Sequence, residues 1–104
     1  MKKFAFEMKL YPGNQTEYKK RHDQIWPELV DLLKSVGISE YSIFLNEASD
    51  TLFGVLTIID ETKIEDLPKY EVMQKWWAHM KDIMYTKENN APISTPLEQV
   101  FFMP

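Results

Sequence analysis

The sequence predicts an α+β fold, a ferredoxin-like β-α-β-β-α-β domain, and three observations carry that reading. The N-terminal segment alternates with the period of a half-buried strand. Two stretches with helical spacing follow, each set off by strand-like runs. A short apolar run then closes the chain. With 104 residues the chain fits one domain, residues 1–104. At that size only about 60–65% of the unfolded surface is buried, so a partner subunit is a natural source of further stability.

In the first strand, Phe4, Phe6, Met8 and Leu10 point one way while Ala5, Glu7 and Lys9 point the other. Tyr11-Pro12-Gly13-Asn14 ends it, and Asn14 is placed to cap a helix that carries Glu17 in its first turn and runs through Tyr18, Arg21, His22 and Ile25. Pro27 removes a backbone donor and disfavours helix at Trp26, so the helix is expected to stop there and restart with Pro27 in its first turn. Leu29, Leu32, Leu33 and Val36 form the buried stripe of the second helix, and Gly37 supplies its stop.

Tyr41, Ile43 and Leu45 alternate with Ser42 and Phe44 as a second strand, and residues 46–50 read as a hairpin loop. The third strand, Thr51 to Ile59, is apolar on both faces, which suits helices on one side and a second layer, such as another subunit, on the other. Asp60 to Pro68 reads as a short acidic connection. Val72, Met73, Trp76, Trp77 and Met80 then recur at helical spacing between Tyr70 and Met84. Tyr85 to Pro96 lacks periodicity, and loops of that length commonly serve function or a partner chain. Leu97 to Met103 is expected to form the fourth strand.

Composition narrows the function classes. A 44% hydrophobic and 27% charged chain is an ordinary globular one. The net charge of −4 argues against nucleic acid, which needs clustered cations. Lys19-Lys20-Arg21 is the single basic cluster, and three consecutive charges spread around a helix read as a solvated face, with anion binding as the lesser alternative. The absence of cysteine removes thiolate zinc sites and cysteine nucleophiles and fits a reducing compartment. No apolar run approaches the ~20 residues of a membrane span, and the N-terminus meets an acid too soon for a signal peptide.

The chemistry centres on His22, with Tyr18 and Trp26 beside it. Four residues apart on one helix, Tyr18 and His22 present a phenol and an imidazole to the same space, a pair able to handle protons near neutral pH. A partly buried helix face with satisfied polar tips is the competing explanation. Trp76 and Trp77 point about 100° apart and cannot share a narrow stripe, so one of them is expected to line a cavity or an interface, where indole suits the C–H face of a sugar, with core packing alone as the commoner explanation. Tyr41 faces inward with Ile43 and Leu45. His79 reads as a surface or interface residue on a different helix face, and two histidines so spaced make no metal site.

The run Tyr18-Lys19-Lys20-Arg21-His22-Asp23-Gln24-Ile25-Trp26-Pro27-Glu28-Leu29, with Gln74-Lys75-Trp76-Trp77 and the terminal Val100-Phe101-Phe102-Met103-Pro104, closely resembles L-rhamnose mutarotases. The resemblance spans essentially the whole chain. It implies a cytoplasmic homodimer of ferredoxin-like subunits, a dimeric α+β barrel, that interconverts the α and β anomers of L-rhamnose without metal or cofactor. It further implies that His22 is the proton donor and that Tyr18, Tyr41, Trp76 and Trp77 contact the sugar. Where the family usually reads Asn-Pro-Ile-Trp, this chain has Asp23-Gln24-Ile25-Trp26, and an approaching Asp23 carboxylate would raise the imidazole pKa. The alternatives are a cofactor-independent monooxygenase or a haem-binding protein of the dimeric ferredoxin-like class, which would need a larger apolar cavity, and a sugar-binding module without chemistry.

Overall fold

The computed structural model describes all 104 residues. Its elements are β1 (Lys2–Lys9), α1 (Gln15–Asp23), α2 (Pro27–Ser35), β2 (Ile38–Asn46), β3 (Thr51–Ile58), a 3₁₀ segment (Glu61–Lys69), α3 (Glu71–Met80) and β4 (Thr95–Leu97). The four strands form one antiparallel sheet in the order β2-β3-β1-β4, the ferredoxin-like topology that the element order predicts. No helix is long and apolar enough to cross a membrane.

Register decides which side chains reach the core. Phe4, Phe6 and Met8 lie opposite Leu56, Gly54 and Leu52, so the apolar set of β1 and the even-numbered residues of β3 share the face beneath the helices. Leu29, Leu32 and Val36 meet that face from the α2 side, and Met73, Trp76 and Met80 from α3. Leu33 is only partly buried at the edge of the stripe. The proline break falls as expected: Trp26 is extended (φ −67°, ψ 131°) and Pro27 opens α2. Gly37 ends that helix at φ +89°, a left-handed position that glycine adopts without Cβ strain.

Several local expectations are corrected. Asn14 sits at the N-cap of α1, but its amide donates back to the carbonyls of Tyr11 (3.2 Å) and Pro12 (3.2 Å) instead of capping the helix. The tight turn around Pro12 and Gly13 leaves those carbonyls without another partner, and the asparagine serves them first. The acidic connection is a 3₁₀ helix whose N-cap Asp60 accepts from the Thr62 amide (3.1 Å) and hydroxyl (2.7 Å), with Ile64 and Leu67 packed on the core. Ile59 leaves the third strand and is 71% exposed.

The fourth strand is the largest departure. It covers only Thr95–Leu97, paired with Glu7, Phe6 and Ala5, and not Leu97 to Met103. Val100, Phe101, Phe102 and Met103 are consecutive apolar residues, so no pleat can put them all on one face, and all four remain exposed. The Phe102 ring lies 5.9 Å from the Lys3 ammonium, bringing the tail to the sheet face opposite the helices.

That opposite face has no covering layer. Ala5 lies between Val55 and Leu97, Phe53 lies between Glu7 and Phe44, and Phe44 is 62% exposed. The chain exposes 7110 Å², against about 6,100 Å² expected of a monomer of 12.4 kDa.

The two faces should respond differently to truncation. Leu29, 1% exposed between α2 and the sheet, should lose about 2–5 kcal/mol of stability as Leu29→Ala, read as a lower urea midpoint at unchanged slope. A loss below about 1 kcal/mol would show that α2 does not close the core.

Candidate active site

The last turn of α1 brings the predicted pair together. The Tyr18 and His22 rings lie 4.3 Å apart at 30°, and His22 Nδ1 is 3.1 Å from the Tyr18 carbonyl oxygen. A carbonyl only accepts, so Nδ1 carries the proton and donates it. Nε2 is therefore the nitrogen left to exchange protons with anything bound beside it.

From α3, Trp76 meets this ring edge-on at 5.4 Å and 90°. Trp26, in the extended link before α2, meets Trp76 at 5.1 Å, and His79 packs against both tryptophans at 5.5 and 5.6 Å. Trp76 is the buried member at 6% exposure. Trp77 is only partly buried against the core and forms no ring pair with this set, so the two indoles diverge as their adjacent positions require.

Tyr41 reaches the same face from β2 because of a bulge. Between Ser39 and Ser42 the register of β2 against β3 shifts, and Glu40 takes φ +50°. The extra residue allows Ile38, Ile43 and Leu45 all to lie on the helix side, and Tyr41 with them. Its ring packs edge-on against Phe6 at 6.2 Å. Phe6 in turn lies across Gly54, whose missing side chain makes room for the ring.

The Tyr18 and Tyr41 phenols and the His22 imidazole are all held neutral. Burial, with a smaller contribution from Tyr41, pushes the Tyr18 phenol well above its ordinary value, and desolvation of its hydroxyl pushes Tyr41 the same way although the residue as a whole is 39% exposed. No hydrogen bond within the chain engages either hydroxyl, so both keep a proton that they can donate. Burial also lowers the His22 pKa, outweighing the Tyr18 carbonyl and Asp23, which both raise it. The expected effect of Asp23 is thus present but outweighed, since the carboxylate points to solvent and pairs with Lys19 at 2.9 Å.

Two features escaped the sequence. Arg21 is not part of a solvated face: its side chain is 14% exposed and binds Glu17 (2.8 Å), the His79 carbonyl (2.7 Å) and both oxygens of Asp82 (2.8 and 3.1 Å). The i,i+4 spacing to Glu17 was readable, but nothing local points to Asp82. His79 is exposed, as expected, yet its ring joins the aromatic set, and its i+3 spacing from Trp76 was the available signal.

The arrangement is an aromatic cluster around one imidazole with a fixed tautomer, with two free phenols beside it. It can bind a polyhydroxylated ligand with an apolar face and move a proton on and off its oxygens. The chain contains no group of three or more His, Cys, Asp or Glu able to hold a metal ion.

Comparison with known proteins is consistent with this chemistry. The family model for L-rhamnose mutarotase matches residues 3–103. The L-rhamnose mutarotase of Rhizobium meliloti is 54% identical over 103 residues, 99% of each chain. That of Brucella anthropi is 55% identical over 102 residues, covering 98% of this chain and 96% of its own. The crystal structure of an L-rhamnose mutarotase from Formosa agariphila superposes with a TM-score of 0.94 at 47% identity, over 100% of both chains.

A depressed imidazole pKa has a fixed sign in stability. The unfolded histidine takes a proton near pH 6.5 and the folded one only lower, so His22 stabilises the fold above about 6.5 and that contribution is lost as pH falls through the folded pKa. NMR titration should give His22 a midpoint below 6.5, and His22→Gln should flatten the acid limb of the unfolding free energy. A midpoint above 6.5 would contradict the burial argument.

Proposed function

The chain belongs to the L-rhamnose mutarotase family, and from that membership we propose that it is an isomerase interconverting the α and β pyranose anomers of L-rhamnose by acid–base ring opening and reclosure. The observation that carries the reading is the Tyr18–His22–Trp76 assembly, one proton carrier with a free Nε2 set among aromatic rings. The family assignment sets aside the monooxygenase and haem-binding alternatives.

In the proposed mechanism neutral His22 takes the proton of the anomeric hydroxyl through Nε2. The electron pair left on that oxygen forms the carbonyl as the bond between the anomeric carbon and the ring oxygen breaks. The imidazolium then gives the same proton to the ring oxygen. The two oxygens share one carbon, so a single nitrogen can serve both, and His22 acts as the donor that the family pattern implies after first acting as a base. The free aldehyde turns about its bond to the next carbon, and the steps run in reverse on its other face. Nothing is consumed, so no redox centre or nucleophile enters the balance. Tyr18 and Tyr41, held protonated, serve as hydrogen-bond donors to sugar oxygens and not as bases. Trp76 and Trp77 supply apolar contact to the ring. Positioned acid–base catalysis of this kind contributes about 10²–10⁴-fold.

The working unit is a homodimer in the cytoplasm built by pairing the open sheet faces. The excess exposed surface, the apolar patch of Ala5, Phe44, Phe53, Val55 and Leu97, and the exposed tail around Phe102 support that arrangement. Light scattering should give twice the chain mass, and Phe44→Glu, which puts a charge on the most exposed ring of the patch, should give the single mass. A wild-type monomer at micromolar concentration would rule the pairing out.

Saturation-transfer NMR should show faster exchange between the two anomeric proton signals of L-rhamnose in the presence of the protein. His22→Ala should lose about 10²-fold or more of that rate while staying folded. The wild-type rate should be flat above the His22 pKa and fall below it, because the protonated imidazole cannot begin the cycle. Equal exchange with and without protein would end the mutarotase reading.

A further inference from the structure

His22 moves with α1 and Trp76 with α3, so the 5.4 Å ring contact between them depends on what holds the two helices in place. The Tyr18 carbonyl fixes the imidazole only within its own helix. Between the helices, Arg21 supplies the polar tie. It is the residue before His22, and its guanidinium crosses to the end of α3, where Nη1 donates to the His79 carbonyl at 2.7 Å and to Asp82 Oδ1 at 2.8 Å. Nη2 donates to Asp82 Oδ2 at 3.1 Å, and Nε to Glu17 Oε2 at 2.8 Å. Four of the five guanidinium donors are thus engaged in one plane.

Resting on the mutarotase reading, we propose that Arg21 is a positioning residue for the reaction: its fork locks the last turn of α1 to the C-terminus of α3 and so sets His22 Nε2 against a sugar lying on Trp76. Two details favour positioning over simple stabilisation. The His79 carbonyl is among the unsatisfied acceptors at the end of α3, and α3 has no glycine cap, so Arg21 holds that helix by its terminus. The contacts on the α3 side also flank the aromatic set, because the ring of His79 packs on Trp26 and Trp76 while its carbonyl is held by Arg21. The pair with Asp82, itself 64% exposed, adds little binding energy of its own, and the fixed bidentate geometry is what it offers.

Arg21→Lys keeps the charge and removes the fork, and Asp82→Asn weakens the same tie from the other helix end without touching α1. Both variants should stay folded and dimeric. A displacement of about 1 Å at a reacting centre costs up to about 10²-fold, so each should lower the exchange rate at saturating L-rhamnose by about 10–100-fold while KM shifts less than about threefold. The double variant should lose little more than the worse single one, since both break one tie. A second readout needs no activity: the His22 ring protons, displaced by the ring current of Trp76, should move toward unperturbed values in both variants. Unchanged maximal rate in both variants would overturn the proposal. So would a rate loss matching the fraction unfolded, or His22 signals that stay in place. Wild-type protein that fails to speed anomer exchange would overturn the mutarotase reading instead, while the His22 signals would still report whether Arg21 sets the ring contact.

Discussion

The helical layer converges on the indole of Trp76. It is buried from below by the sheet core and met by His22 from α1, Trp26 from the link before α2, and His79 from its own helix. Each contact needs a different local event. His22 arrives on the last turn of α1, Trp26 from the extended link that Pro27 imposes before α2, and His79 three positions after Trp76 on its own helix. Trp26 thus meets Trp76 edge-on from an extended link, whereas His22 meets it edge-on from the helix before the break.

Burial in this cluster also sets the electrostatics. Two phenols pushed upward and one imidazole pushed downward leave a site with no net charge near neutral pH. A neutral sugar that opens to a neutral aldehyde suits such a site, because no permanent ion competes for its hydroxyls. The charged residues nearby are paired at the rim, Lys19 with Asp23 and Arg21 with Glu17 and Asp82. Their exposed partners keep those charges solvated while the aromatic interior stays uncharged.

Much of this was legible in the residues. The alternation of β1, the break at Pro27 and the stop at Gly37 follow from periodicity and backbone chemistry, and the structure contains each of them; Tyr41, Ile43 and Leu45 share the helix side of β2, but Tyr41 and Leu45 are 39% and 37% exposed there. The i,i+4 spacing of Tyr18 and His22 likewise foretold their ring contact. What stayed hidden depends on pairs distant in sequence. Arg21 reads as one of three solvated cations until Asp82 and the end of α3 come to meet it, 58 to 61 positions away. The C-terminal tail matches strand propensity, but β1 offers its edge for only three rungs beside Thr95–Leu97. Propensity could not say that pairing stops there.

The places where local rules are broken lie together. Glu40 adopts a left-handed backbone that a non-glycine residue enters only at a cost of about 1–3 kcal/mol, and the bulge it belongs to turns Tyr41 toward the helices. Beyond the bulge on β3, opposite Ile43, Gly54 sacrifices strand propensity in a position where a larger side chain would displace Phe6, the ring that backs Tyr41. A sheet selected for stability alone would repair both, with a regular β2 and a branched residue at 54. Their persistence side by side, under the one phenol that the sheet contributes, is the pattern expected where strain is tolerated for a binding group. By that argument the sheet beneath Tyr41 is as much a built part of the site as the helix that carries His22.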